Sequence, residues 1–505
     1  MVDKHKKSEK DLQVRPPIVV ILGHVDHGKT SILDCIRKTK VVEKESGGIT
    51  QHVGAYQIEH NGKIITFIDT PGHEAFSAIR SRGAKVADIA VLVVAADDGV
   101  KPQTKEAINC ILHEDIPFVV AINKMDKPAA LPDKVKKELA ENKVLVEGLG
   151  GEVPCVLVSA KTSLQINELL EMILLVAEMA EIKSDGQAPA AGVIIESRAD
   201  AQRGATATLL VKEGTLSSHD VLASESAFGA IKTMEDFRGR VIVSAGPGSP
   251  VIVTGFNQVP PVGEEWQVMP SLDEARQRVA TKSEQEKAKR EPAEVLEIKE
   301  GQKVFNIILK ADVSGSLEAI RESLKAIPQV EVIIRILKAE VGDVSENDVK
   351  LARSAKASIY GFRIKSSPAV NSLAERDNVY IKTYDIIYEL IQVVRDRAST
   401  YLPSEMIRLP IGRLKVLATF KNGKSGQIVG GRVASGRIER GVKFDIKRAS
   451  EIIGSGKVNQ LQQNKQNVQE VAKDKECGIM ASAEAEIEKN DILELFLEER
   501  KKREL

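Results

Sequence analysis

The sequence predicts a multidomain protein of mixed α/β and β class: an α/β domain, a β-barrel, a small α/β/α domain and a C-terminal β-barrel. From residue 16 to about 183, short apolar runs such as IVVIL and IAVLVVAA alternate with helical stretches, which is typical of a mostly parallel sheet. Residues 191–269 and the chain after Pro403 are instead Gly-punctuated and rich in Val and Ile, which indicates antiparallel barrels. Strands and helices alternate again from residue 303 to about 401, which predicts the second α/β unit.

These patterns place domain boundaries along a chain of 505 residues, a length that fits three or four domains. Residues 271–300 are helix-forming and highly charged with almost no apolar face, so we expect a solvated connecting helix there. The predicted segments are a disordered N-terminal tail at 1–15, the first α/β domain at 16–185, the first barrel at 186–270, the charged linker helix at 271–302, the α/β/α domain with a trailing helix at 303–402, and the C-terminal barrel at 403–505.

Composition excludes several classes of protein. Lys and Arg number 72 and Asp and Glu number 72, so any basic surface for nucleic acid must be local. The four cysteines are far apart without a CxxC pair, which argues against a disulfide framework or a zinc site. The start of the chain is charged and resembles no signal peptide, and the longest apolar runs are well below the ~20 residues that span a bilayer. We expect a cytoplasmic protein that does not enter membranes.

The segment GHVDHGKT lies between the apolar run IVVIL and the helical run SILDCIRK, and it fits the P-loop pattern G-x-x-x-x-G-K-[ST]. Its glycines let backbone N–H groups surround an anion at a helix N-terminus, where the dipole favours phosphate. Lys29 would reach the β- and γ-phosphates, and the Thr30 hydroxyl would hold Mg²⁺. The flanking strand and helix disfavour the alternative of an accidental Gly-rich turn. The predicted phosphate-binding residues are Gly23, His24, Val25, Asp26, His27, Gly28, Lys29 and Thr30.

Two further segments favour a guanine base. Asn123, Lys124, Met125 and Asp126 follow the apolar run FVVAI. A carboxylate at Asp126 can accept from guanine N1–H and N2–H₂, donors that adenine lacks, while the amide of Asn123 suits the O6/N7 side and the Lys124 stem can lie along the ring. A second segment after VLV could add a backbone N–H to guanine O6, although its tripeptide is a weak signal alone. It consists of Ser159, Ala160 and Lys161.

The segment DTPGHEAF follows the run KIITFI and allows two interpretations. Asp69 would end its strand as the acid that orders Mg²⁺ through water, and Gly72 would let its N–H approach the γ-phosphate. His73 then occupies the position where an attacking water must be oriented, and we predict it as the catalytic residue, acting as base or as water-positioner. The simpler interpretation is a Pro-Gly turn beside a polar residue. The predicted contact residues here are Asp69, Thr70, Pro71, Gly72 and His73.

These motifs resemble those of the translational GTPases, most closely the family of bacterial translation initiation factor two. The resemblance rests on RPPIVVILGHVDHGKTSILD, ESGGITQHVGAY, DTPGHEAF, NKMD and SAK, and ESGGITQHVGAY is the most specific of these. AAGVIIESRADAQRGATATLLVKEGTL, KADVSGSLEAI and KDKECGIM with EKNDILELF extend it along nearly the whole chain. It implies that residues 16–185 form a P-loop GTPase domain and that the barrel at 186–270 is a translation-factor barrel.

The resemblance implies further roles in the GTP site. Val25 and Ile49 would form an apolar gate that keeps His73 from the water until the ribosome repositions it. Asp26 would help to bind a monovalent cation beside GTP and Mg²⁺. The switch threonine Thr50 would join the metal when GTP is bound. The implied Mg²⁺ ligands are therefore Thr30, Thr50 and Asp69.

The resemblance also implies partners. A protein of this family binds formylmethionyl initiator tRNA, promotes its placement on the small ribosomal subunit, promotes subunit joining and hydrolyses GTP on the ribosome. It contacts both ribosomal subunits and other initiation factors, and we expect a monomer. Two other functions stay open on the sequence: a GTP-dependent enzyme such as a sulfate adenylyltransferase, which the second α/β unit disfavours, and an adaptor that binds GTP without hydrolysis.

The family's last barrel binds the formylmethionyl end of the tRNA. Residues 412–465 carry twelve Lys and Arg against three Asp and Glu, a plausible surface for phosphate, although a solvated barrel exterior would look similar. Relatives usually carry a basic-basic-aromatic run where this chain has QQN before Lys465, so we expect this departure to lower affinity for the tRNA more than selectivity. We expect an uncharged pocket for the formylated end near Cys477 and Gly478. The predicted tRNA-binding residues are Lys465, Glu476, Cys477 and Gly478.

Overall fold

The computed structural model describes residues 12–37, 53–72, 74–200, 202–289, 302–402, 405–423, 426–449 and 451–501. The chain divides into two compact units, Met1–Arg395 and Asp396–Leu505, and this division falls before the boundary at residue 403 that the sequence predicts. The described residues form α/β and antiparallel β domains, so the predicted fold class is confirmed. Within these ranges no helix is both long and apolar enough to cross a membrane.

The first domain is a six-stranded sheet covered by helices on both faces. The six strands are β2 (Ile18–Gly23), β3 (Gly54–His60), β4 (Lys63–Asp69), β5 (Ile89–Ala95), β6 (Phe118–Asn123) and β7 (Cys155–Leu157). Two further strands, β1 (Leu12–Val14) and β8 (Lys183–Asp185), form a separate pair. Its helices are α1 (Lys29–Arg37), α2 (Ser77–Val86), preceded by a 3₁₀ turn at Glu74–Phe76, α3 (Pro102–His113), α4 (Pro132–Glu141) and α5 (Ile166–Met179).

The strand order of this sheet is β3-β4-β2-β5-β6-β7, and only β3 runs antiparallel to its neighbour. Every residue of β2 and β5 is buried. Helices α1 and α5 cover one face, and α3 and α4 cover the other. Because parallel strands end at one edge, the segments that follow β2, β4, β6 and β7 meet there.

The predicted disordered tail at 1–15 is wrong for residues 12–14. These residues form β1, which pairs antiparallel with β8. Arg15 continues the attachment, because its guanidinium donates two hydrogen bonds of 2.6 Å to the carboxylate of Asp88. All three residues of β1 are exposed, so its ordering depends on a backbone ladder to a segment distant in sequence.

The first barrel follows β8 and encloses Trp266, which is 1% exposed. Seven antiparallel strands run in the order β13-β12-β17-β9-β10-β16-β14, and β11 pairs with β15. The strands are β9 (Ala191–Asp200), β10 (Gly204–Glu213), β11 (Leu216–Ser217), β12 (Val221–Ala223), β13 (Phe228–Ala230), β14 (Thr233–Asp236), β15 (Ser244–Ala245), β16 (Pro250–Phe256) and β17 (Glu265–Met269).

Helix α6 (Leu272–Lys289) begins the charged segment that we predicted as a solvated connecting helix. Its first turns contact β12 and β13 of the barrel, and Ala275 is fully buried there. Lys282 Nζ lies 2.7 Å from the Glu225 carboxylate. The first part of this helix is therefore docked on the barrel through one small side chain and an ion pair, while most of its described side chains are exposed. Residues 290–301 lie outside the described ranges.

The α/β/α domain is a four-stranded parallel sheet in the order β19-β18-β20-β21. Its strands are β18 (Lys303–Ala311), β19 (Val332–Val341), β20 (Ser358–Phe362) and β21 (Ile381–Tyr384). Its helices are α7 (Ser314–Lys325), α8 (Glu346–Ala355), α9 (Pro368–Arg376) and the trailing α10 (Ile387–Ser399). Apolar side chains of β18, β20, α8 and α9 share one core.

Helix α2 is where the first domain, the first barrel and the α/β/α domain meet. Arg82 on α2 donates two hydrogen bonds to the carboxylate of Glu318 on α7. The same side chain packs against Gly263 of the barrel, where an added Cβ would lie 2.7 Å from the Arg82 Cδ. Thr66 of β4 donates a 2.5 Å hydrogen bond to the carbonyl of Gly248. The helix that follows DTPGH therefore contacts both neighbouring domains.

The C-terminal unit contains a closed antiparallel barrel. The order β22-β29-β24-β25-β28-β23 is completed by pairing between β22 and β23. The strands are β22 (Glu405–Gly423), β23 (Gly426–Glu439), β24 (Lys443–Arg448), β25 (Glu451–Gln463), β26 (Gln466–Asn467), β27 (Glu470–Ala472), β28 (Glu476–Ala483) and β29 (Ile492–Lys501).

A buried ionic cluster joins β18, β19 and α8. Asp348 is fully buried, and its carboxylate lies 2.8 Å from the ammonium of Lys338 and 3.1 Å from that of Lys310. Ser345, the N-cap of α8, also donates to it. Burial alone would raise the pKa of Asp348, but the hydrogen bonds from Lys338 and Ser345 outweigh it and lower the pKa from 3.8 to about 2.

Asp348→Asn should destabilise the α/β/α domain by about 2 kcal/mol at pH 7, because two ammonium groups lose their buried counter-ion and keep only the half-exposed carboxylate of Glu340. Because the pKa of Asp348 is lowered on folding, the stabilisation that its carboxylate gives the wild type is fully present above pH 3.8. This stabilisation is lost as the pH falls through about 2. Hydrogen exchange of peptides from β18 and α8 measures this local stability. The control is Glu346→Gln, an exposed carboxylate on the same turn, and equal exchange in the two variants would contradict the prediction.

Candidate functional site

The P-loop connects β2 to α1 in a conformation that brings backbone groups close to other loops. Asp26 has a φ of 64° and Gly28 has a φ of 87°. A Cβ on Gly28 would lie 2.3 Å from Asn123 Nδ2, so this glycine permits both the left-handed conformation and the contact. The helix begins directly at Lys29, which leaves its first N–H groups at the loop. This geometry is typical of a loop that binds phosphate through its backbone.

Lys29 lies inside this loop with 6% of its surface exposed. Its ammonium donates to the carbonyls of Gly23 at 3.0 Å and His24 at 2.7 Å. Burial lowers the pKa of Lys29 to about 8, and the carboxylate of Asp69 counteracts part of that decrease. A Cβ on Gly72 would lie 2.3 Å from Nζ, so only glycine lets the segment after β4 approach the lysine. A bound triphosphate would offer this ammonium a charged partner in place of two carbonyls.

The side chain of Asn123 ties the P-loop to the last loop of the site. Its Nδ2 donates a 2.9 Å hydrogen bond to the carbonyl of His27, and its Oδ1 accepts a 3.1 Å hydrogen bond from the N–H of Ala160. The residue is 2% exposed. The structure therefore brings together three segments that are separate in sequence, and the Asn123 amide is committed to holding them.

The remaining predicted base-recognition residues lie at the same edge. Ser159 donates a 2.7 Å hydrogen bond to Asp126 Oδ1, and this bond is the main cause that lowers the pKa of Asp126. The carboxylate is thus an ionised acceptor at neutral pH. Lys161 is exposed and further lowers this pKa through its charge. Met125 N–H donates to the Val158 carbonyl at 3.3 Å, and Lys124 adopts a φ of 66°.

The acid end of β4 lies beside Arg37, the last residue of α1. Asp69 is 4% exposed, and its Oδ2 lies 3.5 Å from Nη2 of Arg37. Thr70 Oγ1 donates to the carbonyl of Ile21 at 3.0 Å, and the carbonyl of Pro71 accepts from Arg80 at 3.4 Å. The predicted residues His73, Ile49 and Thr50 lie outside the described residues.

The hydroxyl of Thr30 and the carboxylate of Asp69 are hard oxygen donors of the type that Mg²⁺ prefers. Mg²⁺ usually takes one or two protein ligands beside substrate phosphates and water, so these residues fit such an ion. Within the described ranges no cluster of three or more His, Cys, Asp or Glu side chains could hold a metal without a nucleotide. Asp26, predicted to assist a monovalent cation, is exposed on the same loop.

Of the two P-loop histidines, His27 has its side chain enclosed by the protein. The His27 side chain is fully buried, with its ring centroid 5.0 Å from that of His24 and Nε2 3.4 Å from the Asp98 carboxylate. Burial, with help from the neighbouring His24, lowers the pKa of His27 to about 4, so the ring is neutral. His27 would therefore contact a nucleotide through its backbone.

Two residues of the site were missed by sequence reasoning. Gln103 on α3 accepts a 3.0 Å hydrogen bond from the N–H of Val25 and so fixes the P-loop from outside. Arg37 places its guanidinium 3.7 Å from the centroid of the Tyr56 ring and beside Asp69. Neither belongs to a recognisable short motif. Both act through contacts between elements, which one sequence does not display.

The predicted tRNA-binding residues lie on the C-terminal barrel, and the structure corrects one of them. Cys477 points inward and is 7% exposed, packed in the barrel core, and burial raises its thiol pKa to about 11. Its neighbours face outward: Glu476 pairs with Arg432 at 2.9 Å, and a Cβ on Gly478 would meet no atom within 4 Å. Because side chains alternate along a strand, the thiol cannot line an outer pocket that Gly478 faces. Lys465 lies in the tight turn between β25 and β26 with a φ of 64°.

The P-loop, the parallel sheet and the Asn123–Asp126 segment define a guanine-nucleotide-binding domain of the translation-factor class. Residues 15–179 match the family profile described as Elongation factor Tu GTP binding domain. Residues 189–269 match Elongation factor G domain 2, and residues 279–395 match Translation-initiation factor 2.

The relatives narrow this class to one family. The chain is 45% identical to translation initiation factor IF-2 of Caldanaerobacter subterraneus subsp. tengcongensis, over 97% of this chain and 70% of that protein. It is 43% identical to the factor of the same name from Clostridium botulinum, over 99% of this chain and 74% of that protein. The chain belongs to the translation initiation factor IF-2 family, and the resemblance seen in the sequence is confirmed.

Several relatives are much longer than this chain. The match to translation initiation factor IF-2 of Pelotomaculum thermopropionicum, at 46% identity, covers 98% of this chain and 52% of that protein. The corresponding share of the Carboxydothermus hydrogenoformans protein is 62%. Among solved structures, GDP-bound aIF5B from Aeropyrum pernix matches with a TM-score of 0.51 and 25% identity, covering 96% of this chain and 92% of that one.

Asn123→Ala should loosen two loops at once, because it leaves the His27 carbonyl and the Ala160 N–H without their partner. The cost of such unsatisfied groups is about 1–3 kcal/mol. Hydrogen exchange of the nucleotide-free protein should therefore accelerate in peptides covering the P-loop and residues 159–162. The matched control is Asn142→Ala, which removes one 2.7 Å hydrogen bond to the Glu138 carbonyl at a helix end of the same domain. Exchange that changes equally in both variants would refute the bridging role.

Proposed function

We propose that this protein is a translation initiation GTPase that binds formylmethionyl initiator tRNA, promotes its placement on the small ribosomal subunit and promotes subunit joining. GTP is hydrolysed to GDP and phosphate on the ribosome. The observation that carries this proposal is the Asn123 bridge, which assembles a phosphate loop and a guanine-recognition segment in a chain of the IF-2 family. The partners are therefore both ribosomal subunits, the initiator tRNA and other initiation factors.

Guanine selectivity rests on Asp126 in this proposal. Its ionised carboxylate would accept from guanine N1–H and N2–H₂, and the hydrogen bond from Ser159 orients it for that task. Adenine presents no such pair of donors. The backbone N–H of Ala160 already bonds to Asn123, so the guanine O6 contact expected from this segment depends on the neighbouring N–H groups.

Phosphate binding and hydrolysis would involve the opposite end of the site. Lys29 and the P-loop N–H groups bind the phosphates, and Thr30 and Asp69 would hold Mg²⁺, with Thr50 as a further ligand. That ion supplies charge neutralisation at the phosphates when it is bound. In this proposal His73, which directly follows Gly72 in the sequence, would orient or deprotonate the attacking water beside the γ-phosphate.

The gate proposed for His73 has one supporting contact among the described residues. Val25 Cγ2 lies 3.4 Å from the position of a Cβ on Gly72, so this valine borders the segment that leads to His73. Ile49 would supply the other side of the gate. In the same proposal Asp26 assists a monovalent cation next to the phosphates.

The outer face of the C-terminal barrel supports the proposed tRNA site, which we now locate around Gly478 and no longer at Cys477. Gly478 pairs with Gly430 on one side and with Gln462 on the other, so the two neighbouring glycines leave a shallow depression between them. Phe420, 59% exposed, and Ile428, 45% exposed, lie beside Gly430. An uncharged formylmethionyl end fits such an apolar depression better than a free ammonium does. Basic side chains, Lys465 among them, would contact the phosphates of the acceptor arm.

His73→Ala tests the proposed hydrolysis. GTP affinity should stay within about twofold, while ribosome-stimulated turnover should fall by about 10²- to 10⁴-fold, as expected for loss of a group that acts on the water. His113→Ala, the same change at an exposed position of α3, serves as control. Turnover of the wild type with GTP and ATP, with and without assembled ribosomes, is measured alongside. A wild type that ribosomes do not stimulate would overturn the initiation function.

Gly478→Arg tests the proposed tRNA surface. Open space around Gly478 lets the barrel fold, but the added cation and bulk should lower affinity for formylated initiator tRNA about tenfold. Ala483→Arg, exposed at the far end of the same strand, adds the same group and should stay within about twofold. Binding of formylated and unformylated initiator tRNA to the full chain is compared across a salt series. If both substitutions weaken binding equally, or neither does, the depression is not the site.

A further inference from the structure

The guanidinium of Arg37 is held between an aromatic ring and the acid of the candidate metal site. Arg37 is the last residue of α1, and its Cζ lies 3.7 Å from the centroid of the Tyr56 ring. Its Nη2 lies 3.5 Å from Asp69 Oδ2. The side chain of Arg37 is 21% exposed and that of Asp69 is 5% exposed. A positive charge therefore lies against the carboxylate that the proposed function assigns to Mg²⁺.

Tyr56 provides a firm surface for this guanidinium. It is 4% exposed on β3, directly across from Phe67 of β4, and the two rings are stacked with centroids 5.8 Å apart. A guanidinium over an aromatic face is attracted by the electrons of the ring and is weakly hydrated, so it can be kept in a partly buried place. Strands β3 and β4 thus fix the arginine and the carboxylate relative to each other.

Two cations at one buried carboxylate repel each other strongly, because the surrounding protein screens charge less than water does. An ion ordered by Asp69 would face the positive charge of Arg37 a few ångströms away. The pair with Arg37 stabilises the ionised carboxylate when no metal is present, and this stabilisation is lost in part when the metal attracts the same oxygens. The arginine and the metal are therefore thermodynamically coupled with opposite sign.

We propose that Arg37 is an internal competitor of Mg²⁺ for Asp69 and sets the metal concentration at which this protein retains guanine nucleotide. This inference rests on the proposed function, because it assumes a guanine nucleotide bound with Mg²⁺. Arg37 is a positioning residue here: it acts through Asp69 and touches neither the base nor the phosphates. Without metal, the guanidinium of Arg37 balances the negative charge of Asp69. The same pairing raises the Mg²⁺ concentration that is required for guanine nucleotide to bind.

The test is a Mg²⁺ titration of fluorescently labelled GDP binding to the full chain. Arg37→Gln removes the competitor at similar side-chain length, so the half-saturating Mg²⁺ concentration should fall about three- to fivefold, within the range expected for loss of a partly exposed ion pair. Arg37→Met also removes the charge while keeping an apolar stem against Tyr56, so it should give the same shift as Arg37→Gln. A half-saturating concentration that is unchanged or raised in both variants overturns the proposal.

Lys101→Gln is the matched control. Lys101 pairs with Asp98 at 2.7 Å, and Asp98 lies 3.4 Å from the P-loop residue His27, so this variant removes a positive charge near the loop without altering Asp69. Its titration should coincide with that of the wild type within about twofold. An equal shift in Lys101→Gln and Arg37→Gln would assign the effect to general electrostatics and overturn the specific competition.

A second readout separates competition from a structural role. Without nucleotide and with chelator, Arg37→Gln should lower the midpoint of thermal unfolding. The decrease should be smaller in an Asp69→Asn background, because the uncharged asparagine needs no counter-ion. A merely structural arginine would give the same loss in both backgrounds. The proposed function fails separately: a wild type that binds no GDP at any Mg²⁺ concentration overturns it, whereas normal GDP binding with unshifted variants overturns only the role of Arg37.

Discussion

The amide of Asn123 is the interaction on which the nucleotide site depends. One side chain donates to the P-loop carbonyl of His27 and accepts from the N–H of Ala160, so that the ends of three strands share one geometry. The bridge requires Gly28, because a Cβ there would occupy the place of the Asn123 nitrogen. Since parallel strands end at a common edge, a single short amide can span loops that lie far apart in the chain.

The acid side of the site is organised by charge. Lys29 is buried among its own loop carbonyls, and Asp69 partly offsets the cost of that burial. Arg37 approaches the same carboxylate from α1. Bound phosphates and a divalent ion would lie close to Lys29 and Arg37. Their binding would therefore change the electrostatic interactions that these two side chains already make with Asp69. The charge balance of the unloaded site is part of its affinity for ligand.

Helix α2 links this site to the rest of the first compact unit. It follows the segment that ends at Gly72 and carries Arg82, which contacts both Glu318 of the α/β/α domain and Gly263 of the first barrel. A displacement of this segment would act on two neighbouring domains through one side chain. The contact is partly exposed, so its strength is modest, and its value lies in connecting three domains at one position.

The sequence by itself determined the domain classes, the P-loop and the Asn123–Asp126 segment. Each of these depends on a short contiguous run of residues, whose backbone conformation and side-chain chemistry are set locally. Tertiary structure decided the rest. Strand β1 forms only by pairing with β8, Cys477 lies inside the barrel because of strand register, and Arg37 reaches Asp69 because β3, β4 and α1 meet. Distances between elements and the face that each side chain occupies arise from packing, which no local pattern encodes.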